Sequence, residues 1–287
     1  MLQATQFEND RVIKEEDLNS LYVDLARKIR VHVLHMTHNA NASHVGTCFS
    51  IADLLGVLYK GILRVDPKDP LMPDRDRFIL SKGHGAAAVY AALAECGFFP
   101  KEWLDRYCQD GSPLGGHITF NVPGVEVSTG SLGHGLSIGC GMALAGKRQH
   151  QPYRVFVTMS DGECDEGSIW EAAMFAPYHK LDNLITIVDY NKIQSLDEVK
   201  KVLDLEPFAD KWKAFGWSVL EIDGHDFTQI KEALSSLPFE NGKPSCIIAH
   251  TVKGKGVSFM ENQIAWHYKS PNSEQLKQSL KELGVIQ

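Results

Sequence analysis

The chain has 287 residues, enough for one large domain or two modest ones and for a substantial core without disulfide staples. Hydrophobic residues make up 44% and charged residues 23%, which excludes a disordered chain. The net charge is 29 − 36 = −7 with no basic stripe, so nucleic acid is not an expected partner, and an anionic ligand must be held by local backbone donors, a metal or a few histidines.

In chain order, the first ~40 residues read as a helical extension, with Leu21, Leu25, Ile29, Val33 and Met36 at helical spacing. His32, His35 and His38 on that helix could hold a transition metal or form a polar helix end. No cysteine or carboxylate completes a site nearby, which favours the polar end. Ser50-Ile51-Ala52-Asp53 predicts an N-cap opening the helix ADLLGVLYKGIL. Strand and helix then alternate: the strand RFIL and helix AAAVYAALAEC, the small-residue helix LGHGLSIGCGMALAGKRQ, the strand YRVFVTM and helix EGSIWEAAMFAPYHK, and the strand NLITIVDY. WSVLEIDG, FTQIKEALSSL and PSCIIAHTV continue as strand, helix, strand. Apolar strands separated by helices imply an α/β fold, a mostly parallel sheet with helices on both faces, in one domain spanning 1–287. Ligands of such sheets sit at the carboxyl ends of the strands.

None of the six cysteines lies in a C-x-x-C pair, which favours a reducing compartment. The polar, acidic start is not a signal peptide, and no apolar run reaches the ~18 residues of a membrane span. A cytoplasmic location without membrane contact is therefore expected.

Two nucleotide motifs nearly match and fail. Gly83-His84-Gly85-Ala86-Ala87-Ala88 fits G-x-G-x-x-A, but no strand with an acidic residue follows about 20 positions on. Gly141 to Arg148 fits a P-loop except for its final hydroxyl residue, and reads as helix.

The strand YRVFVTM runs into Ser160-Asp161-Gly162, and a helix follows. Gly162 permits close approach of a ligand, and a helix N-terminus presents free N–H donors, which suits a phosphate. A carboxylate beside a phosphate requires a cation between them. Asn191 ends the next strand, 191 − 161 = 30 residues later. Asp161, Asn191 and the backbone carbonyl of Ile193 fit a magnesium–diphosphate site. Taken singly, Asp161 could only cap a helix and Asn191 only form a turn; the combined spacing is more specific.

These motifs carry a resemblance. DG…EG…WEA…LDNLI.I.D.N is similar to the thiamine-diphosphate motif. SHVGTCFSIADLL, SKGHGAAAVYA, GGH, STGSLGHGLSIGCGMALA, DGHD and TVKGKG…WH follow in the order of the N-terminal half of transketolase, from about residue 18 to about residue 270. The resemblance implies thiamine diphosphate as cofactor, with magnesium (or calcium or manganese in its place) on Asp161, Asn191 and Ile193. It implies Gly162 against the diphosphate, His84 and His267 on the cofactor, and Gly130, Ser131 and Leu132 against the thiamine rings. His44, His84, His117 and His267 would be the catalytic residues lining the sugar channel. Ketol transfer needs proton movement at hydroxyls, and histidine titrates near neutrality, which supports these four independently. His134 stands where the family often has glutamine, which suits a hydrogen bond.

Two departures matter. Ser160 stands where many relatives have glycine. The chain also stops after the first of the family's three domains, whereas the family's activating glutamate and most of its sugar-phosphate grip lie further on. Glu166 is not that base; by resemblance it is an interface glutamate. The sequence is thus either truncated or one subunit of a split enzyme, and its polar helical end SPNSEQLKQSLKELGVIQ favours the second. The expected function is the N-terminal subunit of a transketolase, active with a C-terminal partner subunit in an α₂β₂ assembly. It would move a two-carbon ketol unit between sugar phosphates. The alternatives are a split enzyme of the deoxyxylulose-phosphate-synthase type, a 2-oxoacid dehydrogenase α subunit, or a non-catalytic scaffold.

Overall fold

Five strands pair into one all-parallel sheet: β1 (Arg77–Leu80), β2 (Val155–Ser160), β3 (Leu184–Tyr190), β4 (Ser218–Asp223) and β5 (Ser245–His250), in the order β1-β2-β3-β5-β4. The structure, a computed structural model, describes residues 15–287; the start of the expected N-terminal helix lies outside the described residues. Every residue of β2 and β3 is buried, as in strands covered on both sides. Successive side chains go to opposite faces. Val155, Val157 and Met159 enter one apolar layer, and Phe156 enters the other.

The helices that cover these layers are α1 (Glu15–Asn39), α2 (Val45–Ser50), α3 (Ala52–Val57), α4 (Ala86–Glu95), α5 (Gly135–Arg148), α6 (Gly167–Tyr178), α7 (Val199–Val202), α8 (Phe208–Ala214), α9 (Phe227–Ser235) and α10 (Ser273–Glu282). α1, α3, α4 and α9 bury Ile29, Leu55, Leu93 and Ile230 in the layer that holds Phe156. α5, α6 and α8 bury Ala143, Ile169 and Trp212 in the opposite layer. α5 lies close on β2 because Gly139 has no side chain: a Cβ there would stand 2.6 Å from Val157 Cγ2. The near-miss P-loop is part of α5, and the near-miss dinucleotide motif is a 3₁₀ turn, Gly83–Gly85, opening α4.

One expected boundary differs. Ser50 is not an N-cap but the last residue of α2. Its hydroxyl donates to Asp189 Oδ2 (2.6 Å), with the Thr47 carbonyl also near it (2.9 Å), and Ile51 takes the cap position. A buried carboxylate outcompetes the helix end for that hydroxyl. Asp53 is drawn into a buried pair with Arg30, and the expected long helix ends at Val57 in a π turn, Leu58–Ile62. The histidines of α1 form a polar end: His32 meets Glu95 (2.8 Å), His38 meets the Pro271 carbonyl (2.7 Å) and His35 is exposed. No group of three or more His, Cys, Asp or Glu able to hold a metal occurs among the described residues.

Candidate active site

Because all five strands run the same way, the segments leaving β1, β2, β3 and β5 gather at one edge of the sheet. They bring Lys82, Asp161, Asn191 and Lys253 together. A cleft of about 210 Å³ opens there. The expected residues His44, His84, His117, Gly130, Leu132, Asp161, Gly162, Asn191, Ile193 and His267 line it, joined by Thr47, Ser160, Gln194, Ser195, Lys253 and Tyr268. Ser131 is exposed between Gly130 and Leu132, outside the cleft wall, and its carbonyl meets Nδ1 of the exposed His134 (3.1 Å).

The acidic end is built from backbone turns. Asp161 Oδ1 accepts from Gly162 N–H (2.7 Å), and Oδ2 accepts from Lys192 N–H (2.6 Å). Asn191 Oδ1 accepts from Ile193 N–H (3.1 Å), and its amide donates to Asp189 Oδ2 (3.0 Å). A Cβ at Gly162 would stand 2.9 Å from the Gln194 side chain, which would have to move aside. Ser160 has no positive φ, so serine fits there without strain, and its hydroxyl accepts from Glu163 N–H (3.3 Å).

The other end is a cluster of imidazoles around His44. Its ring centroid lies 5.3 Å from that of His84, 5.8 Å from His117 and 5.2 Å from His267. His44 adopts left-handed backbone geometry (φ 75°), an uncommon state for a residue with a side chain. Its N–H donates to the His267 carbonyl (2.9 Å), which ties the two together. Burial, then neighbouring His117, Lys253 and Lys82, depress His44 to about 4. Burial and Lys253 depress His267 to about 3, and burial with Lys82 holds His84 well below the usual range. These three rings are neutral at pH 7, each with one N–H donor and one acceptor nitrogen. Lys253 Nζ lies 2.9 Å from His267 Nδ1; when the lysine is charged it donates there, which places the proton of that ring on Nε2.

The sequence does not single out three charged residues here, Lys82 and Asp189 beneath the cleft and Lys253 in its wall. Lys82 is 0% exposed and donates to Asp189 Oδ2, which also takes the hydroxyl of Ser50; Thr251 donates to Oδ1. Burial works against the Asp189 charge, but Lys82 and these hydroxyls hold its pKa below the ordinary carboxylate value. Lys253 donates to the carbonyls of Ile193 (2.9 Å) and Gln194 (3.3 Å), and burial, with Lys82 close by, lowers it to about 8. The legible signal was weak: lysines in SKGH and TVKGKG were visible only as letters of longer motifs.

A hard divalent cation fits the donor set. Asp161, Asn191 and the Ile193 carbonyl supply only oxygens, which suits magnesium or calcium and not a soft metal. Burial, with Asp189 nearby, raises Asp161 to about 7, so this carboxylate lacks a sufficient counter-charge within the chain. A bound cation would supply it.

A family model described as the transketolase thiamine diphosphate binding domain matches residues 22–286. The chain is 44% identical over 259 residues to one subunit of the apulose-4-phosphate transketolase of Phocaeicola vulgatus, covering 90% of this chain and 92% of that one. It is also 44% identical over 259 residues to one subunit of the 6-deoxy-6-sulfo-D-fructose transketolase of a Clostridium species, covering 90% and 94%. The solved transketolase of Campylobacter jejuni superposes with a TM-score of 0.88 at 32% identity, over 92% of this chain and 43% of that chain.

Proposed function

The chain belongs to the transketolase family of thiamine-diphosphate-dependent transferases, and from that premise we propose that it is the magnesium- and diphosphate-binding subunit of a two-chain transketolase. The observation that carries this reading is a single cleft with hard oxygens at one end and neutral imidazoles at the other. Asp161, Asn191 and the Ile193 carbonyl would hold the magnesium, and Gly162 would let the diphosphate approach. Thiamine diphosphate, when bound, supplies the carbanion-stabilising chemistry that ketol transfer requires. His84 and His267 would orient it, and Gly130 and Leu132 would pack against its rings, with Ser131 outside the cleft wall. His44, His117 and His267 would take and return protons at the hydroxyls of the ketose. A neutral ring can do this without first losing a proton.

The substrates would be a ketose donor and an aldose acceptor, as phosphates or related anions. Two similar subunits carry names specifying apulose 4-phosphate and 6-deoxy-6-sulfo-D-fructose. The partner would be a C-terminal transketolase subunit in an α₂β₂ assembly, with 1–287 forming one cofactor-binding domain and a cytoplasmic location. Apolar side chains on α6, Met174 at 55% and Tyr178 at 82% exposure, are available to a partner chain. The test is ketol transfer assayed with magnesium and thiamine diphosphate, using the chain alone and with its partner. Activity should require both chains; full turnover by this chain alone refutes the two-chain reading.

A further inference from the structure

Glu163 follows Gly162 in the acidic turn, but it is not part of the cleft wall. It is 0% exposed and turns inward beneath the turn. Its Oε1 accepts from the Ser81 hydroxyl and from Gly133 N–H (2.9 Å), and its Oε2 accepts from Ser160 N–H (3.3 Å). Ser81 Oγ in turn accepts from Gly135 N–H (3.0 Å), in the first turn of α5. One carboxylate therefore joins three segments that are distant in sequence. They are the end of β2 carrying Asp161, the turn after β1 carrying Lys82 and His84, and the 130–133 loop.

That loop packs closely against its neighbours. Gly133 has φ +86°, and a Cβ there would stand 2.8 Å from Glu166 Cβ. At Gly135 a Cβ would collide with the side chain of Ser81. The closeness of these segments needs glycines at the contact and an acceptor at its centre. A buried carboxylate is costly unless its lone pairs are met, and here three donors converge on it. An apolar residue could fill the space but could not receive the Ser81 hydroxyl or Gly133 N–H.

We propose that Glu163 is a positioning residue for the cofactor: it locks the 130–133 loop, whose Gly130 and Leu132 line the cleft, in register with the Asp161 turn. The inference rests on the proposed function, because it concerns the two ends of one thiamine diphosphate. The thiamine end meets the 130–133 loop, while the diphosphate end meets the Asp161 turn.

The test compares two ligands by calorimetric titration, in excess magnesium, on the full chain copurified with its partner. Thiamine diphosphate probes both ends of the cleft, and pyrophosphate probes only the acidic end. Glu163→Gln and Ser81→Ala should each weaken thiamine diphosphate about tenfold, equivalent to about 1.4 kcal/mol. Pyrophosphate affinity should stay within about twofold. The double variant should lose no more than the worse single one, because both changes break the same link. Ser81→Ala removes only a hydroxyl, which guards against simple loss of fold. Equal losses for both ligands, unchanged affinity for both, or additive losses in the double variant overturn the inference. Wild-type complex that binds no thiamine diphosphate overturns the proposed function and this inference together. Wild-type binding with unaffected variants overturns this inference alone.

Discussion

Replacing Asp53 by asparagine tests the charged strut behind the site. Asp53 Oδ1 and Oδ2 each accept from Arg30 at 2.7 Å, and Oδ2 also meets His225 Nδ1 at 2.7 Å. His225 Nε2 accepts from Val252 N–H (2.8 Å), next to the cleft residue Lys253, so the strut runs from α1 to the segment after β5. The side chains of Arg30 and Asp53 are 8% and 6% exposed, which makes this a buried pair. Removing one partner of such a pair costs about 3–5 kcal/mol, because the other charge is left unmet. Burial opposes the charge of Asp53, but Arg30 and then His225 outweigh it and hold the carboxyl down at about 2, against an ordinary value of 3.8. At 1.36 kcal/mol per pH unit, that difference is worth about 2 kcal/mol. The folded-state value is the lower one, so the unfolded chain binds the proton more tightly. The contribution is complete above about pH 5 and is lost as pH falls toward 2. Urea unfolding of wild type and Asp53→Asn at pH 7 and pH 3 reads this directly. The variant should be about 3–5 kcal/mol less stable at pH 7, and the gap should narrow by about 1 kcal/mol at pH 3. A deficit that is the same at both pH values, or below about 1 kcal/mol at pH 7, would refute the reasoning.

Asp161→Ala should abolish magnesium-dependent binding of thiamine diphosphate while leaving the circular dichroism spectrum intact. Calorimetry showing unchanged, metal-independent affinity removes Asp161 from the metal site. His117→Ala should lower kcat/KM for donor cleavage by about 10²–10⁴-fold with little change in cofactor affinity, and a wild-type rate would assign His117 to structure. Gly139→Val should destabilise the fold by about 1–3 kcal/mol through overpacking against Val157, where a Cβ would already stand at 2.6 Å; thermal unfolding with an unchanged midpoint would show that α5 can shift instead.

Much of this molecule is legible in its sequence because apolar runs and helical spacing report local chemistry. YRVFVTM and NLITIVDY are apolar on both sides of the strand, and only a sheet covered on both faces accommodates that pattern. The pairing of Asp161 with Asn191 is legible for the same reason. Adjacent parallel strands with a helix between them end side by side, so residues 30 apart in the chain come to share one cleft wall. The histidines could be identified from their motifs but not placed, since residues 44, 84, 117 and 267 meet only when four separate segments reach one edge of the sheet. Ser50 shows where local reasoning stops. A serine before a helix ordinarily caps it, but here a buried Asp189, 139 residues away, holds the hydroxyl. Lys82, Lys253 and Glu163 follow the same rule. The sequence determined the strands, the helices, and the acid and amide that end two neighbouring strands. Only tertiary structure decided which buried charges would meet, because the partners that satisfy a charge removed from water are selected by distance in space and not along the chain.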